Sequence, residues 1–532
     1  MNREQGLEQI RQEKEWDLLV IGGGATGLGV AVDAASRGYR VLLVEQADFA
    51  KATSSRSTKL IHGGVRYLAQ GNVELVREGL RERGFLLENA PHLVKPLPFV
   101  IPIYSWRDAA VLLSGMKIYD MLAGKWRIGQ STWLHKAKVL ELLPGVQPSG
   151  LKGGVLYYDG QFDDARLAIH LAQTCVDHGG VVVNYMRAES LHPRASGQGW
   201  TVRLRDAETD EYFETAAKVV INATGVFVEE FLQQVSVRSN HRISVKPSQG
   251  VHVVLPIRFT GSAQQAMLIP RTSDGRVIFL VPWYNHLLAG TTDTPVAHPS
   301  LEPNPFQEEV HFILQQAGKY LLKRPDYKDI LSVFAGLRPL AVPVDKSAAT
   351  KDISRKHYLQ VNAPGLITIT GGKWTTYRKM AEDTVDLAMR IAHLPKRKCI
   401  TSHLQIHGWE KPQPHQGLMP YGTDGLQIRE IMRRHPANAQ QIDPEWPHTV
   451  AEVIWAVQEE MARTVEDVLA RRFRVLFLDA RAAMRMAPRV AEIMREKMGK
   501  TKAWEQEQMA AFTQLAENYL VESAVDKAKV RV

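Results

Sequence analysis

The sequence predicts an α/β protein with a parallel βαβ unit at its front, an antiparallel sheet in its middle and a separate helical domain at its end. Three observations carry this. "WDLLVI", the glycine run "GGGATG", the helical period of "LGVAVDAASRG" and the apolar run "YRVLLVE" form one strand–turn–helix–strand unit. "GVHVVLP", "RVIFLVPW" and "HLLAGTTDT" alternate and are separated by turn residues, as strands of an antiparallel sheet are. Residues 449–497 are apolar at helical spacing with charges between.

Length and composition set the bounds. A chain of 532 residues exceeds one ordinary core, so two or three domains are expected. Only Cys175 and Cys399 occur, too far apart for a metal or redox spacing, so both read as free buried thiols in a reducing cytoplasm. No metal site is expected. The N-terminus lacks an apolar core with a cleavage site, and no window reaches the ~18 apolar residues of a spanning helix. The net charge of +9 suits anionic substrates, anionic lipid or nucleic acid, but the basic residues are dispersed and no RNA-reading motif accompanies them. Nucleic acid is therefore not an expected partner.

In chain order, residues 1–16 read as a polar, frayed leader and the βαβ unit begins at Asp17. "SSRSTKLIHGGVRYL", Ser54 to Leu68, then crowds hydroxyls, cations and a histidine around a Gly-Gly pair. Residues 94–129 mix Leu, Ile, Val, Trp and Tyr with Lys and Arg, which fits either a segment lying on an anionic membrane or a core helix with basic flanks. "GGVVVNYMRAESL" and "KVVINATG" supply further strands, and "GLITITGGKWTTYRKMAEDTVDLAMRIAHL" reads as strand, glycine turn and long helix. A Pro-, His- and Gln-rich linker from 399 leads to the helical tail, where "LARRFR" at 469–474 reads as a solvated helix face.

Gly22, Gly24 and Gly27 form G-x-G-x-x-G between a strand and a helix, with Glu45 ending the next strand. Gly22 makes the tight turn, Gly24 lets a pyrophosphate approach the backbone and Gly27 permits close helix–strand packing. The helix N-terminus faces the phosphates, and the Glu45 carboxylate accepts from ribose hydroxyls, which argues against a 2′-phosphate and hence against NADP. FAD is favoured over NAD because no further βαβ unit follows. Two later glycine turns, "NATG" at 222–225 and "TGGKWTTY" at 370–377, suit a long cofactor threaded through a Rossmann-like fold, although ordinary helix entrances are the plainer reading of each.

"VIGGGATGLGVAVDAASRG", "TSSRSTKLIHGGVRYL", "YYDGQFDDARL", "GTTDT", "GLRPL" and "GGKWTTYRKMAEDTVD" occur in the order found in the FAD-dependent, respiratory glycerol-3-phosphate dehydrogenases. The chain resembles a bacterial member of that family from Asp17 to about His393, and the tail around "TVEDVLARRFRVLFLDARAA" is similar to the family's C-terminal helical domain. The resemblance implies a Rossmann-like FAD-binding domain (about 17–93, 151–243 and 335–398) interleaved with an antiparallel-sheet substrate domain (about 94–150 and 244–334). A linker and C-terminal helical domain, 399–532, would follow. Departures from the family pattern are Thr26, Trp374 and Val226-Phe227, the last pair beside the flavin.

The resemblance also implies roles. Cofactor contacts would come from Gly22, Gly24, Ala25, Thr26, Gly27, Glu45, Thr53, Ser54, Ser55, Lys59, Ile61, His62, Gly63, Gly64, Ala223, Gly225, Gly372, Lys373, Trp374 and Thr375. Arg66, Tyr67, Lys373, Arg338 and Thr291 would bind substrate, cations suiting its phosphate. His252 is expected as general base, with Arg338 binding phosphate or polarising the C2 oxygen. The plainer readings are a core histidine for His252, an ion-paired arginine for Arg338, a turn-capping Lys373 and a backbone-bonded His62. Asp163 and Asp164 read as helix N-caps. The expected activity is oxidation of sn-glycerol 3-phosphate to dihydroxyacetone phosphate, with electrons passing from FAD to a membrane quinone. Expected too are a cytoplasmic protein peripheral on the inner face of the membrane, and a homodimer as one possible assembly. An oxygen-using oxidase, an amine oxidase and a non-enzymatic flavoprotein scaffold are the alternatives.

Overall fold

The computed structural model describes residues 1–69, 71–195, 197–235, 243–343, 357–411 and 418–522. The first of its two sheets has a parallel centre. Leu366–Gly371, Tyr212–Asn222, Glu15–Ile21, Val41–Val44 and Val181–Val183 lie side by side in that order, with His357–Ala363 added antiparallel at one edge. Leu18, Leu19 and Val20 have no exposure, as expected of a parallel strand covered on both faces. Helix Ala25–Ser36, leaving the glycine run, packs against helices Asp164–Asp177 and Tyr377–Ile391. Gly27 is required there: a Cβ at this position would stand 1.9 Å from the Gly22 carbonyl oxygen.

The second sheet has ten strands and is antiparallel except where Ala266–Ile269 runs parallel to Val94–Ile103. Its long central pair, Ile243–Pro256 with Ser332–Pro343, sets His252 opposite Phe334 and Ser248 opposite Arg338. Strands for this sheet come from between segments of the first, so the two layers are interleaved along the chain. Two segments sit differently from the expected division. Gly153–Phe162, placed in the FAD-binding part at 151–243, pairs with Val94–Ile103 in the second sheet, then runs directly into helix Asp164–Asp177 of the first layer. Ser332–Pro343 likewise belongs to the second sheet throughout, although 335 was the expected return.

Three further expectations change. The leader is not frayed: Arg3–Gln12 is a helix capped by Asn2, with Leu7 and Ile10 buried against the first sheet. Gly6 allows this, since a Cβ there would meet Val183 Cγ2 at 2.9 Å. Residues 94–129 divide into the core strand Val94–Ile103 and helix Trp106–Ala123. Finally, 469–474 is no solvated face. Arg471, Arg472 and Arg474 are all buried, because six acidic side chains from three parts of the chain receive them: Asp48, Asp163, Asp164, Glu460, Glu466 and Asp467. Among the described residues of the tail, helices Val450–Glu459, Ala480–Met498 and Lys502–Glu517 share a core with the second sheet, as a helical domain was expected to supply. Cys175 and Cys399 are free, the first buried and the second half-buried.

Candidate active site

Two cavities meet at Thr53. The smaller, about 200 Å³, is lined by Gly22, Gly24, Glu45, Ser54, Ala223 and Gly225. Here the first strand gives way to its helix. Gly22 holds φ +113°, and a Cβ on Gly24 would lie 3.1 Å from Ser54 Oγ. Glu45 is buried, and its carboxylate accepts from Gly23 N at 2.6 Å and Ala47 N at 2.9 Å. Burial raises its pKa and these two amides oppose the rise. Val226 and Phe227 line this cavity too, so the departure from the family pattern falls at the Rossmann end.

The larger cavity, about 510 Å³, opens at the join between the sheets. It gathers His62, Gly64, Tyr67, His252, Thr291, Arg338, Gly372, Lys373, Trp374 and Thr375 from segments more than 300 residues apart. Trp374 Nε1 donates to the Ser54 carbonyl at 2.9 Å, so the third glycine turn is tied to the first loop. His62 N donates to Thr375 Oγ1 at 3.2 Å, and Gly64 adopts φ +83° over the Tyr67 ring. Loss of hydration, with the Lys373 and Arg83 charges, lowers the His62 imidazole to about 3, which keeps it neutral.

Arg338 is pinned. Its two terminal nitrogens donate to Gln249 O at 3.2 Å, Thr291 Oγ1 at 3.0 Å and Thr292 O at 3.0 Å, and it pairs with Asp293 at 3.5 Å. Behind it, the buried Glu309 carboxylate accepts from Thr292 Oγ1 at 2.8 Å, Thr294 Oγ1 at 2.6 Å and Gln249 Nε2 at 2.7 Å. Lys373 Nζ lies 4.6 Å from the centre of the Tyr67 ring, a cation–π distance. Arg338 and Lys373 thus line one cavity with Arg56, Arg276 and the apolar Leu60, Phe99, Leu268 and Phe279.

His252 is 2% exposed and stacks on Phe334, its centroid 5.0 Å away. Its Nε2 meets Thr58 Oγ1 at 2.9 Å, while Nδ1 is sealed from solvent and has no hydrogen bond among the described residues. His252 and Thr58 both line the larger cavity. Burial, then the Lys59 and Arg338 charges, hold the ring well below the ordinary histidine range, so it is neutral.

Other expected contacts are placed differently. Ser55 Oγ donates to the Ala50 carbonyl at 2.7 Å, and Lys59 Nζ donates to Ser55 O and Asp164, both at 2.7 Å. Ser55, Lys59, Ile61 and Gly63 line neither cavity; they brace the loop from behind. Ala25, Thr26 and Gly27 form the start of the helix, and Ala25 N donates to Ser54 Oγ at 2.9 Å. Arg66 lies on helix Val65–Ala69, and its side chain falls outside the described residues. Asp163 caps its helix through Arg166 N at 3.1 Å, whereas Asp164 binds Lys59 and Arg474. Thr58 and Asp293 escaped the sequence reading although each sits inside a quoted motif; the tertiary fold, which a motif does not encode, brings them to His252 and Arg338.

The residues fit a dinucleotide flavin. Bare backbone at Gly22, Gly24 and Gly27 makes the cradle, and the trough continues into a cation-lined chamber of the size a ring and a small substrate need. Comparisons with known proteins agree. The family described as FAD dependent oxidoreductase matches residues 17–378, and that described as C-terminal domain of alpha-glycerophosphate oxidase matches 367–508. The chain is 39% identical over 534 residues to a probable mitochondrial glycerol-3-phosphate dehydrogenase of Caenorhabditis elegans, covering 94% of this chain and 73% of the relative. Against the human mitochondrial glycerol-3-phosphate dehydrogenase it is 38% identical over 545 residues, covering 96% and 74%. The crystal structure of the glycerol-3-phosphate dehydrogenase from Bacillus halodurans complexed with FAD matches with a TM-score of 0.75 at 29% identity, covering 97% of each chain. The chain belongs to the family of FAD-dependent glycerol-3-phosphate dehydrogenases.

Proposed function

We propose that this protein oxidises sn-glycerol 3-phosphate to dihydroxyacetone phosphate and passes the electrons to a membrane quinone. One observation carries the substrate: Arg338, Lys373, Tyr67 and neutral His252 line one chamber at the end of the glycine cradle. FAD, when bound, supplies the hydride acceptor. The protein supplies the rest. Arg338, immobilised by carbonyls and Thr291, presents a fixed positive charge to the phosphate or to the C2 oxygen as negative charge develops there. Lys373 is a second cation for the phosphate, and the Tyr67 hydroxyl a neutral donor. His252, which lines the chamber, accepts the C2 hydroxyl proton. The apolar wall excludes water from the carbon that is oxidised.

The test is anaerobic bleaching of the flavin. Glycerol 3-phosphate is expected to bleach it at micromolar to millimolar concentration, while unphosphorylated glycerol leaves it yellow. Equal response to both would remove the cations from the substrate site. An oxygen-using oxidase keeps the same site; stoichiometric hydrogen peroxide under air would replace the quinone reading. An amine substrate gains nothing from Arg338 and Lys373, so an amine oxidase fits the chamber poorly.

Docking on the inner face of the cytoplasmic membrane is supported by helix Trp106–Ala123. Trp106, Val111, Ile118 and Met121 are exposed, Val111 at 73% and Met121 at 71%. At 3.6 residues per turn they share an arc of roughly 140°. Arg107 and Lys117 on the same helix, and Lys125 just after it, suit anionic headgroups. Among the described residues no helix is long and apolar enough to cross a membrane. Leu112 and Leu113 pack inward, and Leu112 lines the substrate chamber, so the docking face is carried by the other four. Trp106→Ser with Val111→Ser and Met121→Ser is expected to cut liposome flotation; unchanged recovery would sink the idea.

A further inference from the structure

We propose that the helical tail positions the proton acceptor: Arg474 fixes Asp164, Asp164 fixes the Ser57–Lys59 segment, and Thr58, at the centre of that segment, orients the His252 ring. The inference rests on His252 as the base and gives the tail a role in the reaction.

Every link is a hydrogen bond between buried or half-buried groups. Arg474, at φ +68° between a π-turn and the short helix Val475–Leu478, is 1% exposed. Its NH2 donates to Asp164 Oδ1 at 2.8 Å and to the Ser55 carbonyl at 3.0 Å; its NH1 returns to Ala470 O at 2.8 Å. Asp164 Oδ2 then accepts from Ser57 Oγ at 2.7 Å, Ser57 N at 3.1 Å and Lys59 Nζ at 2.7 Å. Lys59 N donates to Ser57 Oγ at 3.0 Å, closing the loop on itself. Thr58 is thus flanked on both sides by residues anchored to one carboxylate, and its own hydroxyl reaches His252 Nε2 at 2.9 Å.

The arrangement is built for rigidity. Asp164 and Lys59 have no exposed side-chain surface, and the ammonium is enclosed by the Trp283, Phe334 and Phe477 rings at 5.0, 5.6 and 5.5 Å. Phe334 also stacks on His252, and Phe477 belongs to the tail, so the aromatic box touches the base from a second side. Because Nδ1 has no partner among the described residues, Thr58 is the hydrogen bond that fixes the ring's orientation. A misplaced base loses rate steeply, since proton transfer needs hydrogen-bond reach.

The experiment is rapid anaerobic mixing of the holoenzyme with glycerol 3-phosphate, following flavin absorbance across pH. Thr58→Val, a near-isostere, is expected to slow reduction about 3- to 10-fold, the weight of one neutral hydrogen bond. The half-saturating concentration, flavin content and melting temperature should stay at wild-type values, and Thr58→Ser should restore the rate. Arg474→Lys keeps the charge but loses the fork that joins Asp164 and Ser55 to Ala470; it should slow reduction alone and add little in the Thr58→Val background. Should Arg474→Lys lose flavin, Ser57→Ala takes its place in the same cycle, since it loosens Asp164 from the loop without touching the tail. A wild-type rate in Thr58→Val, or effects that multiply in the double variant, overturns the inference. Failure of the base assignment reads differently: His252→Asn would then reduce flavin at the wild-type rate, whereas failure of the relay leaves His252→Asn slow and Thr58→Val fast.

Discussion

Arg338 donates to Thr291 Oγ1 and to the Thr292 carbonyl from the same terminal nitrogen, each at 3.0 Å, so its charge is aimed before substrate arrives. A lysine at this position keeps the charge and loses the planar fork that those acceptors hold. Arg338→Lys is expected to retain flavin and lower kcat/KM for glycerol 3-phosphate about 10²–10³-fold, the range for loss of one preorganised donor to developing charge. Steady-state kinetics on the yellow protein checks it.

His252 gives a prediction about pH. Burial disfavours the imidazolium, and the Lys59 and Arg338 charges disfavour it further, so the folded ring loses its proton well below the usual value of 6.5. The acceptor form is then present at every pH above that. The rate of flavin reduction at saturating substrate should be flat downward through pH 6.5, with no titration of this ring near neutrality. His252→Asn should lower that rate about 10²–10⁴-fold with flavin still bound. A wild-type limb centred near 6.5 would show the ring to be hydrated and differently placed.

The first sheet and its cradle were legible because their code is local. Gly22, Gly24, Gly27 and Glu45 lie within one βαβ unit, where Gly27 answers to the Gly22 carbonyl and Glu45 to the Gly23 amide. The chamber was legible as a list of residue types but not as an arrangement. His252 and Arg338 face each other's surroundings through the pairing of Ile243–Pro256 with Ser332–Pro343, a register set by strands about 90 residues apart. The "LARRFR" segment shows the limit most plainly. Arg471, Arg472 and Arg474 have the local signature of a wet surface, and only tertiary structure brings Asp48 and Asp164 to them. The leader helix is a similar case: two apolar residues, Leu7 and Ile10, suffice once Gly6 lets the helix lie on the sheet.

His407 joins the tail to the first layer, its Nδ1 2.6 Å from Asp177 and its Nε2 3.0 Å from Asp424. Burial alone would lower its pKa, but hydrogen bonds and charge from the two carboxylates raise it to about 9. The folded state therefore holds this proton more tightly than the unfolded chain. Its stabilisation is complete below about 6.5 and is lost as pH rises through 9. Lys59, lowered to about 7 by burial against the opposing pull of Asp164, acts in the other direction over an overlapping window, so the comparison must be made against a variant. The urea midpoint of the wild type relative to His407→Gln should be highest at pH 6 and converge by pH 10. A constant difference across that range would mean His407 is not charged in the fold.

Gly250 isolates the placement of Arg338 from its chemistry. A Cβ at this position would stand 2.2 Å from the Arg338 NH2 and 2.5 Å from Thr291 Oγ1. Gly250 lies in the central strand of the second sheet, paired with Gly336, and its φ is not among the positive ones, so alanine is compatible with the backbone. The clash falls on the far end of a flexible side chain, and the guanidinium, not the strand, is what gives way. Gly250→Ala should bind FAD and melt within a few degrees of the wild type. It should lose glycerol 3-phosphate turnover nearly as severely as Arg338→Lys, about 10²-fold or more if one aimed donor is lost. Because both substitutions act through one guanidinium, the double variant should be no worse than the poorer single one. Wild-type kinetics in Gly250→Ala would show that Arg338 works equally well from a second position, and its fixed aim would then carry no weight in the reaction.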